Sequence, residues 1–370
     1  MVMQPASKSQ KWKLRLFRLG MVFVSLFVSL LLCEVLTRIV APQNLSGTWF
    51  ERSPRGNDLN KANWTSRQQF GSRRVVYRIN DLHLRGDPVG QATNRILCVG
   101  DSFTFGLLLD ETNTFVHKLG QSAKRDFPAG TFEFLNGGAG GWGTADYTAF
   151  VEDFGVQIHP AAVVVFLNND DVARSVRSGL FALDPGKEAV MPLKAAVAGA
   201  GLKERFRSFR LYQWMLTHSH LTQFLRVRLQ GWLNHAGGTS AVQHEAEAEV
   251  ESDVHLEEAL FLRLQQWCLG HGCRLFVVTT GFHAFPDYSF GRSDGAANDK
   301  FFAEAPQFFS KNKINFHDIG PTMFEMSKGN YSTLVIPNEG HPNENGSEVI
   351  ATLAWQWLKP QFQMMLNPSN

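Results

Sequence analysis

The chain has 370 residues, and its 30 phenylalanines and 9 tryptophans can fill a sizeable core. This length suggests one large domain, alone or with accessory segments. The formal net charge is only +2, so the composition gives no indication of nucleic-acid binding and we expect no such partner. The 4 cysteines are too few for a disulfide scaffold.

The N-terminal region has the pattern of a membrane anchor. Its basic residues are Lys8, Lys11, Lys13, Arg15 and Arg18. An uncharged run follows over 19–33, and the apolar character continues to residue 41. We therefore predict a basic cytoplasmic tail over 1–18 and a transmembrane signal anchor over 19–41. A cleaved signal peptide is the main alternative, but the residues before position 42 fit a cleavage site poorly.

The anchor would leave the rest of the chain on the periplasmic or extracytoplasmic side of a membrane, as a single-pass protein. A polar segment over 42–92 is expected to lead from the membrane into the main domain at 93–360. A short tail at 361–370 completes the predicted division of the chain.

From residue 95 the pattern alternates between strand and helix, which favours a parallel sheet. The predicted strands lie at 95–100, 131–135, 161–167 and 274–280. The predicted helices lie at 114–123, 144–154, about 254–269 and 344–358. The strand over 161–167 is apolar throughout, as expected for a strand covered on both faces.

The alternation is interrupted by a predicted insertion over 175–255. It comprises a hairpin at 179–193, a helical stretch at 202–233 and an acidic, mobile loop at 237–253. Such an insertion lies where a lid or a substrate-binding cap could sit. After it, Cys268 and Cys273 flank a tight turn, either as a disulfide or as two unpaired thiols, and the sequence leaves that choice open.

Gly100-Asp101-Ser102 follows the first strand at the start of a strand-to-helix turn. A serine on such a turn is placed to act as a nucleophile, with backbone N–H groups nearby to hold negative charge. In isolation the same residues more often cap a helix.

Three other features follow in chain order. A glycine-rich loop runs from Asn136 to Thr144, Asn168 and Asn169 end the third strand, and His341 precedes the last helix. The loop spacing does not fit a dinucleotide fingerprint. The Asn169 amide could donate to an oxyanion, and the His341 imidazole could accept the serine proton. No spacing of histidine, cysteine and acidic residues indicates a metal site.

The order and content of these four features resemble the SGNH hydrolase (GDSL esterase/lipase) superfamily over about 93–360, and an N-terminal span ahead of the domain resembles its membrane-anchored bacterial members. The resemblance implies an α/β fold, a three-layer α/β/α flavodoxin-like sandwich with a mostly parallel sheet, beside the transmembrane helix and the helical insertion. It implies Ser102 as nucleophile and first oxyanion donor, Gly141 and Asn169 as further donors, and His341 as general base. It implies no cofactor.

The sequence departs from the family pattern at two places. The usual Gly-Asn-Asp block begins here with Asn168, which could crowd the backbone. The usual acid three residues before the histidine is replaced by Asn338, so we prefer Glu339 as the third member. A Ser-His dyad without an acid and a degenerate site stay open.

Three functions remain. The leading one is a membrane-anchored serine esterase or lipase-like hydrolase acting on an ester. The second is a carbohydrate O-acyltransferase or deacetylase of the cell envelope. The expected substrate is an ester or an acylated carbohydrate or lipid. The third is an anchored binding protein without catalysis. The sequence indicates neither the acyl length nor the oligomeric state.

Overall fold

A computed structural model describes residues 8–184, 190–192, 209–236, 247–288 and 295–367. The first helix, α1, runs from Lys8 to Val40, and its apolar part from Arg15 is long enough to cross a membrane. The side chains of that part are exposed rather than packed in a core. The helix is thus a candidate membrane span or signal sequence, as the composition predicted.

The segment after α1 forms two antiparallel strand pairs that the sequence did not predict. They are β1 (Phe50–Arg52) with β2 (Asp58–Asn60), and β3 (Trp64–Phe70) with β4 (Arg73–Ile79). Alternate residues of β4 are buried, including Tyr77, which packs against Trp49 of the same segment and Phe105 of the main domain. Short, arginine-rich strands lack the apolar run that identifies a buried strand.

The central sheet is parallel, as predicted for an α/β fold, but it has five strands where the sequence predicted four. The short fifth strand, at one edge of the sheet, was missed. They are β5 (Asn94–Gly100), β6 (Phe132–Gly138), β7 (Ala162–Leu167), β10 (Arg274–Thr279) and β11 (Asn315–His317). Their spatial order is β6-β5-β7-β10-β11. Numbered within the sheet this is 2-1-3-4-5, the flavodoxin-like order, whose switch point lies between β5 and β7.

Helices cover both faces of this sheet. Because successive strand residues point to opposite faces, Val163 and Val165 lie in one apolar cluster and Val164 and Phe166 in another. The first cluster includes α4 (Thr144–Ile158), α8 (Glu247–Gly270) and α9 (Ala296–Lys311). The second includes α3 (Phe115–Asp126) and α11 (Glu344–Leu366). The result is the predicted three-layer sandwich.

Between β7 and α8 lie α5 (Asp171–Ser178), β8 (Phe181–Leu183), β9 (Val190–Pro192), α6 (Arg210–His218) and α7 (His220–Ala236). The hairpin prediction is confirmed by the antiparallel pairing of β8 with β9, although its turn at 185–189 lies outside the described residues. The single helical stretch predicted over 202–233 is broken at Ser219, and residues 202–208 also lie outside the description.

Two predicted boundaries were wrong. Residues 247–253, assigned to a mobile acidic loop, form the first turns of α8, while 237–246 lie outside the described residues. The last helix does not end at 358 but includes 361–366 of the predicted tail.

Cys268 and Cys273 are buried and free, so the structure has the two unpaired thiols rather than the disulfide. The remaining elements are α2 (Ser102–Phe105) and α10 (Gly320–Met326).

Candidate active site

The strand register brings three predicted site residues to one edge of the sheet. Gly100 of β5 lies opposite Gly138 of β6 and opposite Phe166 of β7. The chain continues from these aligned positions to Ser102, Gly141 and Asn169. This edge is the carboxyl end of the strands at the switch point, where open α/β sheets bind ligands.

Ser102 is the first residue of the short helix α2, and its side chain is 8% exposed. Asp101 caps the helix, because one of its carboxylate oxygens accepts from the Phe103 N–H at 2.8 Å. The turn is tight: a Cβ on Gly100 would lie 2.0 Å from Thr104 Oγ1. Only glycine therefore fits directly before the Asp-Ser pair.

His341 reaches Ser102 across 239 positions of sequence, with its Nε2 2.7 Å from the serine Oγ. Its Nδ1 lies 2.8 Å from both carboxylate oxygens of Glu339. A carboxylate facing Nδ1 holds the ring proton there and leaves Nε2 free to accept from the serine hydroxyl. The geometry therefore lets the imidazole take the serine proton.

A tight turn brings Glu339 back to the ring of the residue two positions later. Ile336 N–H donates to the carbonyl of His341 at 2.8 Å, and the backbone N–H of His341 donates to the Glu339 carboxylate at 3.0 Å. Asn338 takes the left-handed conformation at φ 61°, which asparagine tolerates better than most residues. The Tyr288 hydroxyl donates to the Gly340 carbonyl at 2.8 Å and ties this turn to the segment after β10.

Asn169 carries a buried side-chain oxygen without a hydrogen-bond partner among the described residues. The residue itself is 7% exposed, so the amide has little water to replace that partner. A buried polar group left unsatisfied costs stability, so its presence calls for an explanation. The Asn169 amide is thus held at the edge of the sheet while its side-chain oxygen accepts no hydrogen bond from the described residues.

Gly141 lies in the loop after β6, at φ 79°, where an added Cβ would meet no atom within 4 Å. The start of that loop is held closely against α2. Asn136 donates from Nδ2 to the Thr104 carbonyl at 2.9 Å and accepts from the Gly138 N–H at 3.0 Å. A Cβ on Gly138 would lie 2.3 Å from the Phe105 nitrogen, so this close approach requires glycine.

A buried polar network that the sequence did not indicate lies behind the nucleophile turn. The second carboxylate oxygen of Asp101 accepts from Arg174 Nη1 at 2.6 Å and from Asn168 Nδ2 at 2.7 Å. The Asn168 oxygen accepts in turn from Thr280 Oγ1 at 2.7 Å. The side chain expected to crowd the backbone is thus hydrogen-bonded at both ends. An arginine one helical turn into α5 has no sequence signal of such a role.

Arg174 also connects the nucleophile turn to the glycine loop, since it donates to the Trp142 carbonyl at 3.3 Å. Burial alone would lower the pKa of Arg174, but the carboxylates of Asp101 and Asp171 raise it above its usual value. Burial, strengthened by the Asp101 charge, raises the pKa of Asp171 well above its usual value. The guanidinium therefore stays charged between these loops.

No protein-family model matches the sequence, and no curated protein matches it. Among solved structures, the chain is similar to TesA, at 14% identity and a TM-score of 0.42 over 72% of this chain and 99% of that one. The esterase EstA from a Pseudoalteromonas species is 12% identical, with a TM-score of 0.40 over 73% and 99%. A member of the lipolytic G-D-S-L family from Veillonella parvula DSM 2008 is 13% identical, with a TM-score of 0.38 over 71% and 97%. Likenesses at this level assign neither residues nor a reaction to this chain.

Proposed function

We propose that the protein is a serine ester hydrolase in which Ser102 is the nucleophile. The observation that carries the proposal is the continuous chain of contacts from the Ser102 hydroxyl through His341 to the Glu339 carboxylate, at 2.7 and 2.8 Å. This chain contains the three parts that nucleophilic catalysis by serine needs: a nucleophile, a base, and a group that orients the base.

The reaction follows from the same contacts. Ser102 Oγ attacks the ester carbonyl carbon while His341 Nε2 takes the hydroxyl proton, and the Glu339 carboxylate stabilises the imidazolium. The negative charge on the former carbonyl oxygen is held by the backbone N–H groups of Ser102 and Gly141 and by the Asn169 amide. The imidazolium protonates the departing alcohol, and water, activated by the same imidazole, then releases the acid.

We also propose that α1 anchors this hydrolase in a membrane, with the main domain on the periplasmic or extracytoplasmic side. The apolar helix from Arg15 to Val40 and the basic residues before it support this orientation. Ester substrates carried by the cell envelope would then be within reach of Ser102.

The test is labelling of the full-length protein with an alkyl fluorophosphonate, together with hydrolysis of p-nitrophenyl acetate. We expect labelling and turnover for the wild type and for Ser327→Ala, a serine at the end of α10 away from the site. Neither is expected for Ser102→Ala. Equal labelling of Ser102→Ala would remove the nucleophile assignment, and absence of turnover in the wild type would favour the non-catalytic interpretation. Formation of a new ester on an added sugar would instead identify acyl transfer.

A further inference from the structure

The C-terminal end of α1 is hydrogen-bonded to the turn between α6 and α7. The Glu34 carboxylate accepts from Ser219 Oγ at 2.8 Å and from the His220 and Leu221 N–H groups at 3.0 and 2.9 Å. Arg38 donates both to Glu34 at 2.6 Å and to the His218 carbonyl at 2.6 Å. The domain is thereby held at a defined position beside the end of the apolar helix.

A cleft of about 520 Å³ lies beside this junction, between the end of α1, the β3–β4 pair and α6. We call it the junction cleft. The side chains relevant here are Arg38, Arg67, Arg74, Trp214, His218 and His220. Its size is in the range that binds small ligands or headgroups.

The junction cleft carries positive charge that the described residues do not balance. Arg67 and Arg74 lie on the same exposed face of the β3–β4 pair. Arg67 shares a face with Gln69, two residues further along β3, and Gln69 lies directly opposite Arg74 on β4. Neither arginine forms an ion pair in the described part of the chain, and the Glu34 carboxylate is already bonded to Arg38. Two arginine side chains in one cleft, with donors free, favour a phosphate ligand.

The position of the cleft relative to the candidate membrane span indicates where that phosphate would come from. Arg38 is two residues from the end of the candidate span at Val40, so the cleft lies where α1 would leave the hydrocarbon layer. Trp214 of α6 is 56% exposed at the rim, and tryptophan is enriched at the level of lipid headgroups. Both positions are those of the headgroup layer, where the phosphate groups of the lipids lie.

We propose that the junction cleft binds the phosphate of an anionic phospholipid headgroup from the membrane that α1 spans. The inference rests on α1 as a membrane span and does not depend on the chemistry of Ser102. A bound headgroup would place a negative charge between Arg67 and Arg74 and hold the β3–β4 pair against the membrane surface.

The experiment measures binding of dihexanoyl phosphatidylglycerol to the full-length protein in neutral detergent by calorimetry. Arg67→Gln with Arg74→Gln is expected to weaken binding about 30-fold, equivalent to about 1 kcal/mol for each arginine. The matched control, Arg78→Gln with Arg125→Gln, changes two exposed arginines outside the cleft and should leave binding unchanged. Arg67→Lys with Arg74→Lys should bind more weakly than the wild type but more tightly than the glutamine variant, because the charges remain while the planar donor pairs are lost.

Ester hydrolysis and thermal unfolding of each variant serve as checks that the fold is intact, and both are expected to match the wild type. Equal binding by the wild type and the Arg67→Gln, Arg74→Gln variant would overturn the proposal. Inorganic phosphate that binds as tightly as the lipid would also overturn it, since the ligand would then be a free phosphate rather than a headgroup.

Discussion

The Glu339 carboxylate contacts His341 at two atoms: its oxygens lie 2.8 Å from the ring Nδ1 and 3.0 Å from the backbone nitrogen of the same residue. The side chain thus orients both the ring and the turn that carries it. We expect Glu339→Gln to lower kcat by about 10⁴-fold, as the equivalent change does in a serine protease triad, because the amide can stabilise the wrong ring tautomer.

The control for this prediction is Asn338→Asp, which restores the acid at the position where the SGNH pattern usually has it. Asn338 makes no hydrogen bond to His341 among the described contacts, so this change alone should alter kcat little. Combined with Glu339→Gln it should not recover activity. Rates with p-nitrophenyl acetate decide the matter, and recovery in the double variant would move the acid to position 338.

Two neighbouring asparagines are predicted to respond in opposite ways. Asn169→Ala should lower kcat by about 10²–10³-fold through loss of an oxyanion donor. Its melting temperature should stay the same or rise, because the unsatisfied buried oxygen disappears. Asn168→Ala should instead destabilise the fold, since its side chain bonds Asp101 and Thr280. Kinetics and thermal unfolding of both variants provide the comparison, and a large fall in stability for Asn169→Ala would contradict it.

Arg174 is predicted to stabilise the fold by pairing with the buried Asp101 carboxylate and by donating to the Trp142 carbonyl. Arg174→Met leaves the buried Asp101 carboxylate unpaired and should cost about 3–5 kcal/mol of stability. Arg177→Met removes an exposed partner of Asp170 and should cost at most about 1 kcal/mol. Adding Asp101→Asn to Arg174→Met should restore part of the stability. Urea unfolding gives these values, and equal effects at 174 and 177 would exclude the role.

Glu257 is predicted to make stability fall as pH rises. It is fully buried in α8, accepts from the Thr144 and Ser175 hydroxyls, and has its pKa raised by burial from 4.5 to about 7. Between those values the folded chain keeps a proton that the unfolded chain has lost, so the free energy of unfolding decreases as pH rises through that window. The total change is about 3 kcal/mol, at about 1.4 kcal/mol for each pKa unit.

Glu257→Gln should reduce this slope and leave the part due to Asp146, whose pKa burial raises from 3.8 to about 6. The variant should be more stable than the wild type above the window, since the amide resembles the protonated acid. Glu249→Gln, on the exposed side of the same helix, should leave the slope unchanged. Unfolding midpoints across the pH range test both statements. An unchanged slope in Glu257→Gln would assign the proton to another group.

Much of the fold could be predicted from the chain because its strands are buried on both faces. The bounds of β5, β6 and β7 were predicted to within a few residues, because a strand covered by helices on both faces is largely apolar. The β1–β4 pairs were missed, although β4 carries a period-two pattern in which Val75, Tyr77 and Ile79 are buried. The arginines of the same strand hid that alternation in a segment interpreted as polar.

The candidate site also has a part that the sequence indicated and a part that only the folded structure shows. The sequence indicated Ser102, Asn169 and His341 as candidate site residues, because polar groups after apolar strands or before the last helix stand out. Gly141 was added only by the resemblance to the SGNH pattern. Which of residues 338 and 339 faces the His341 ring depended on the backbone of one turn, where φ at Asn338 is 61° and the Glu339 carboxylate comes to 2.8 Å from the ring. Asn168 and Arg174 also meet Asp101 only in the folded chain, across 67 and 73 positions. Local sequence determines which elements form, whereas contacts between distant residues arise only when the elements pack.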